Sequence, residues 1–83
     1  MQVQIKYFAS VRETLGRSSE TWETSAVTLG DLRLALIQRD ALENHPLALG
    51  RAVRIALNQV MCEESEELTE GAEVAFFPPV TGG

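Results

Sequence analysis

Three groups in this 83-residue sequence have the chemistry to react: the thiol of Cys62, the imidazole of His45, and the carboxylate that follows Gly82 and Gly83. Cys62 and His45 are each the only residue of their type. There is therefore no internal disulfide, and no second His or further Cys to build a metal site or a convincing Cys-His pair. His45 precedes Pro46 in a loop-like stretch and reads as a surface loop residue. The terminal glycines differ in kind. With no Cβ they can thread a narrow channel and adopt backbone angles closed to other residues. A terminal carboxylate, with a pKa of about 3.3–3.7, is ionised and a poor electrophile at neutral pH. It needs activation, which ATP can supply by forming an acyl-adenylate whose AMP leaves readily.

The residues ahead of the glycines suit such a role. The last six are PPVTGG. Two prolines stiffen the exit from the preceding segment, and six residues span at most ~20–22 Å when extended. That reach carries the end of the chain into an active site inside another protein. A Gly-Gly terminus arises by chance in roughly 0.5% of proteins, so the pair alone is a weak signal that gains force from the prolines before it.

The elements that must hold this tail can be read from periodicity. QVQIKYF alternates, with Val3, Ile5 and Tyr7 on one face and Phe8 the odd aromatic on the other, which predicts a strand. Ser10 and Glu13 have capping-box spacing for a short helix carrying Val11 and Leu15 and stopping at Gly16. Residues 19–24 fit a second strand, antiparallel to the first. The clearest helix starts at Thr28 as N-cap with Asp31 at N3 and Val27 and Leu32 at the staple positions. Leu29, Leu32, Ala35 and Leu36 line its face, and Leu34 and Ile37 widen the stripe. Residues 41–50 read as an irregular connection. VRIALN at 53–58 is a third strand, CEESEELTEG a turn-rich loop anchored by Leu68, and EVAFF the last strand, ended by Pro78 and Pro79.

This order predicts an α+β fold of the ubiquitin-like β-grasp type, a mixed sheet packed on one main helix, with the first and last strands as parallel central neighbours. The domain covers residues 1–77, and 78–83 form an extended tail. Phe8 and Phe77 fall on outward faces of those neighbouring strands, and Met61 lies just past the third. Together they read either as a partner interface or as rings covered by loops and the short helix.

Composition bounds the partners. Net charge is −5; residues 1–54 hold all seven basic residues, and 55–83 hold six acids and no base. This balance excludes nucleic acid and anionic membrane surfaces as natural partners. The acidic half either solubilises one end or steers a basic partner. With no signal peptide and no long apolar run, the chain is expected in the cytoplasm.

The run VAFFPPVTGG at 74–83 resembles the C-terminal signature of the small, sulfur-carrying subunits of molybdopterin synthases. FASVRETLG at 8–16 and LNQ at 57–59 are similar to the same family. The resemblance implies that Gly83 is adenylated by a ubiquitin-activating-like adenylyltransferase. Gly83 is then converted to a thiocarboxylate with sulfur from a donor protein, while Gly82 gives access. It implies docking on a large synthase subunit in a heterotetramer and sulfur delivery to cyclic pyranopterin monophosphate. Phe8, Met61, Phe77, Pro78, Pro79, Val80 and Thr81 are the expected partner-binding residues. No cofactor or metal is expected on the chain itself, and the catalytic acid-base groups belong to the large subunit. A ubiquitin-like protein modifier, and a carrier for thiamine or tRNA thiolation, would use the same end.

Overall fold

Strand alternation and helical spacing together decide which face each element buries. The computed structural model describes residues 1–79. Its elements are β1 (Gln2–Tyr7), α1 (Ala9–Leu15), β2 (Ser19–Glu23), α2 (Leu29–Asp40), β3 (Arg54–Leu57), β4 (Val60–Cys62) and β5 (Glu73–Phe77). The strands form one sheet in the order β2-β1-β5-β3-β4. β1 and β5 are parallel, and the remaining pairings are antiparallel. The first and last strands are thus interior neighbours, as the β-grasp expectation required, and β5 is the middle strand.

One face of this sheet packs on α2. Val3, Ile5 and Tyr7 of β1, Val74 and Phe76 of β5, and Ile55 of β3 bury against Leu29, Leu32 and Leu36. Leu57 is partly buried against the same cluster, and Leu68 anchors the acidic loop to it. The start of α2 follows the sequence reading. The Thr28 hydroxyl accepts from the Asp31 amide at 3.1 Å, and the Asp31 carboxylate accepts from the Thr28 amide at 3.3 Å. This capping box satisfies two otherwise orphaned donors.

Several local expectations fail, each for an identifiable reason. The capping box at Ser10 and Glu13 does not form. The Phe8 amide is held by the Phe76 carbonyl at 3.1 Å, and the chain turns at once through Ala9 (φ 50°). The helix therefore starts at Ala9 with Phe8 as an uncapped N-cap, and Ser10 lies inside it. Val27 is 59% exposed and closes no buried staple over Leu32, and Leu34 is 40% exposed. Arg33, not Leu34, takes the buried side of α2, being one helical repeat from Leu29 and from Leu36.

His45 is a core residue and not a surface one, at 1% exposure. Its Nδ1 accepts from the Leu47 amide at 3.0 Å, so Nε2 carries the proton and donates to Asp40 at 2.8 Å. Strand β4 has no counterpart in the sequence reading, which gives Val60 and Met61 no element and places Cys62 at the start of the loop. Asn58 and Gln59 both have positive φ (50° and 70°), the signature of a two-residue type I′ hairpin between β3 and β4.

Candidate functional site

The face of the sheet away from α2 carries the exposed aromatics. β1 and β5 pair Tyr7 with Phe76, so Phe8 and Phe77 come next to one another. Their rings stack with centroids 4.7 Å apart and planes 8° from parallel. β5 pairs Ala75 with Ala56, and β3 pairs Ala56 with Met61. The two alanines are small and leave a floor between taller walls. The result is a groove of about 310 Å³ bordered by Phe8, Phe77, Met61 and Lys6. Phe8 remains 37% exposed and Met61 52%. Neither a loop nor α1 covers Phe8 and Met61, so the reading in which the short helix and loops cover them does not hold. Lys6 is paired with Glu73 at 3.3 Å at the far end.

A polar network fixes the end of β1 from the other side. The Tyr7 hydroxyl donates to Glu20 at 2.6 Å, and Arg17 and Arg39 both bond the same carboxylate. Both arginines continue to Asp40, which also receives His45. Burial opposes ionisation of Glu20, but donors from Arg39, Tyr7 and Arg17 outweigh it and hold the carboxyl down at about 2. Asp40 is likewise lowered by His45, Arg17 and Arg39 against the burial that would raise it. Burial, reinforced by the Glu20 contact, pushes the Tyr7 hydroxyl up and keeps it protonated. The network thus joins β1, β2, the α1–β2 turn and the end of α2 directly behind the aromatic pair.

β5 ends at Phe77, and Pro78 and Pro79 leave the sheet beside that pair. Two concavities flank them. One, of about 290 Å³, lies over Ala9, Met61 and Phe77 with Arg54 at its edge. The other, also about 290 Å³, lies between α1 and the 46–53 loop and presents Ser10, Thr14 and Arg51. Arg33 holds that loop in place. Its guanidinium donates to the carbonyls of Leu47, Ala48 and Arg51 at 2.6, 2.9 and 3.0 Å and pairs with Glu64 at 3.1 Å. A buried arginine with this many partners is well satisfied.

Of the expected site residues, Phe8, Met61 and Phe77 are brought together, with Pro78 and Pro79 at their margin. Val80, Thr81, Gly82 and Gly83 lie outside the described residues. Cys62 is half-buried, and its thiol contacts the Val60 carbonyl at 3.2 Å. The acidic half is partly spent internally: Glu64 on Arg33, Glu73 on Lys6, and Glu70 on the Gln2 amide. The sequence reading missed the alanine floor, Arg33, and the arginines at the tail root. Arg33 left a signal, a charge at a core position of α2, whereas Ala56 and Ala75 left none beyond their place in the alternation.

Residues 5–83 match the ThiS family. The chain belongs to the ThiS family. A curated relative, the molybdopterin synthase sulfur carrier subunit of Escherichia coli (strain K12), is 35% identical over 81 residues, covering 98% of this chain and 99% of the relative. The crystal structure of SAMP1 from Haloferax volcanii superposes with a TM-score of 0.79 at 27% identity, covering all of both chains. A chain in the complex of subunits 1 and 2 of the molybdopterin-converting factor from Helicobacter pylori 26695 gives a TM-score of 0.66 at 26% identity, again over the whole of both chains. The ThiS-family chain thus has the ubiquitin-like β-grasp fold. Among its described residues, no helix is long and apolar enough to cross a membrane.

Proposed function

We propose that this chain is the sulfur-carrier small subunit of a molybdopterin synthase, with residues 1–77 as the docking body and 78–83 as the sulfur-bearing tail. One observation carries the reading. The tail leaves directly from β5, the middle strand, and the last residue of that strand is one of the stacked pair on the open face. A partner that covers Phe8, Phe77 and Met61 therefore also fixes the origin and direction of the tail. The full-length similarity to sulfur carrier subunits supports the same reading, as does the subunit 1–subunit 2 complex of the Helicobacter relative.

The chemistry follows from the terminal carboxylate. An activating adenylyltransferase lets the Gly83 carboxylate attack the α-phosphorus of ATP and releases pyrophosphate. A donor protein's persulfide sulfur then displaces AMP to give an acyl disulfide. A second thiol attacks the donor sulfur of that disulfide, forming a disulfide with the donor and leaving a thiocarboxylate on Gly83. Docked on the large subunit, the thiocarboxylate sulfur bonds a side-chain carbon of the pterin precursor as a carbon–oxygen bond at that carbon breaks, and hydrolysis of the resulting thioester returns Gly83 to a carboxylate. Two such transfers, from two charged carriers, supply both sulfurs of the dithiolene. The setting is cytoplasmic and the assembly a heterotetramer.

The test is intact mass of the native protein, together with single-turnover sulfur transfer to cyclic pyranopterin monophosphate. A mass gain equal to one oxygen replaced by sulfur is expected. Deleting Gly83 should abolish both signals and leave the domain folded, because among the described residues every buried core side chain lies between Val3 and Phe76. Full transfer by the deletion variant would overturn the reading. A second reading, conjugation to target lysines, is favoured by the likeness to SAMP1, a small archaeal modifier protein. Isopeptide-linked adducts that depend on Gly83 would reveal it.

A further inference from the structure

Pro78 and Pro79 form a ridge, and the two concavities on its flanks each present an arginine. Both arginines are exposed. Arg54 sits at the start of β3 opposite Phe77, so its side chain borders the apolar slot over Ala9, Met61 and Phe77. Arg51 lies on the other flank, facing the Ser10 and Thr14 hydroxyls, which share one face of α1 by their four-residue spacing. Among the described residues neither guanidinium has an ion-pair partner. Arg12, exposed on α1, likewise has none, whereas Lys6, Arg17, Arg33 and Arg39 are all paired. The contrast is sharpened by the overall charge of −5, which leaves the ridge a local basic collar on an acidic protein.

We infer that the large subunit grips the proline ridge with two acidic lips. One carboxylate enters the Arg54 slot, and the other reaches Arg51 and the adjoining hydroxyls. The inference rests on the reading of this chain as a synthase subunit. The occupant is chosen by continuity: the slot shares Met61 and Phe77 with the aromatic groove, so whatever covers the groove also meets Arg54. Arginine suits this use, since its planar fork matches a carboxylate in two-point contact. The collar also reverses the simpler view that steering comes only from the acidic half. Glu63, Glu66 and Glu67 remain without an ion-pair partner among the described residues. Glu63 and Glu64 share a further concavity with Arg54 and Met61, whereas neither concavity flanking the prolines is lined by an acidic residue.

The experiment compares Arg54→Glu, Arg51→Glu and the double variant with Phe77→Asp in association with the purified large subunit across a salt series. Each arginine reversal should weaken association by about tenfold at low salt, mostly through the association rate, and the defect should shrink as salt rises. Arg54→Lys should retain part of the affinity. Unchanged affinity in the double variant, or a loss that salt does not diminish, would overturn the collar. If Phe77→Asp fails to bind while the double variant binds normally, the collar falls and the docking reading stands. If Phe77→Asp also binds normally, the docking reading itself falls. A defect confined to the activating adenylyltransferase would likewise overturn the assignment to the large subunit.

Discussion

On the face that meets α2, β5 contributes Val74 and Phe76, both fully buried; on the open face the same strand contributes Ala75 and the half-buried Phe77. Phe76 and Phe77 are adjacent in sequence and opposite in role. The inner ring completes a core that a domain of this size cannot spare, because small domains bury a modest share of their surface. The outer ring stacks on Phe8 over a floor of alanines and waits for a partner. Errors on the inner face should therefore appear as lost stability, and errors on the outer face as lost association.

The largest effect is expected on the inner face. Phe76→Ala should cost roughly 3–5 kcal/mol through lost transfer energy and the cavity left behind, read as a lower midpoint in urea unfolding. A midpoint shift equal to that of Phe77→Ala would erase the distinction between the faces. Phe77→Asp should leave the urea midpoint close to that of the unmodified chain. It should nonetheless weaken large-subunit binding by on the order of 100-fold, because docking would bury an unpaired charge. Isothermal calorimetry checks this, and undiminished binding would remove Phe77 from the interface.

Acid should act through the network behind the pair. Glu20 and Asp40 have lowered folded-state values, so their contribution is complete above the ordinary carboxylate range and is lost as pH falls toward about 2. Glu20→Gln should cost roughly 1–3 kcal/mol at neutral pH and should flatten the loss of stability between about pH 5 and 2. Denaturation at a series of pH values tests this, and an unchanged acid slope would rule it out. The smallest effect is expected at Cys62→Ser. Thermal midpoint and sulfur transfer should both stay near their original values; lost transfer without unfolding would make the thiol a participant.

Much of this contrast was legible in the sequence because alternation reports face directly. Val3, Ile5 and Tyr7 against Phe8, and Val74 and Phe76 against Phe77, marked the buried faces and the exposed aromatics, while the parallel pairing of the first and last strands came from the order of the elements. The Thr28–Asp31 box was legible because both partners are local. What escaped depended on contacts far along the chain. Arg33 is buried only because the carbonyls of Leu47, Ala48 and Arg51 come to meet it. His45 looked like a loop residue because its Asp40 partner sits at the end of the preceding helix. β4 has three residues and a turn of Asn58 and Gln59 without the usual glycine, too little pattern to separate from a loop. The arginine collar escaped because charge was counted by chain segment, while the fold gathers Arg51 and Arg54 around residues almost thirty positions later.

The parallel pairing of β1 and β5 also has a mechanical meaning. β1 begins at Gln2 at one edge of the pair, and β5 ends at Phe77 at the other. Tension applied between the two ends of the described chain slides these strands past one another along their length. Their connecting hydrogen bonds then share the load and must fail together, unlike the one-at-a-time opening of a hairpin pulled from its free ends. Forced rupture is governed by the unfolding rate, and a shear arrangement makes that rate slow. The domain should therefore act as a stiff tether, able to stay folded while gripped at Pro78 and Pro79 and pulled from its first strand. Single-molecule stretching would show this as a higher rupture force from the ends than from a handle placed at the β3–β4 turn.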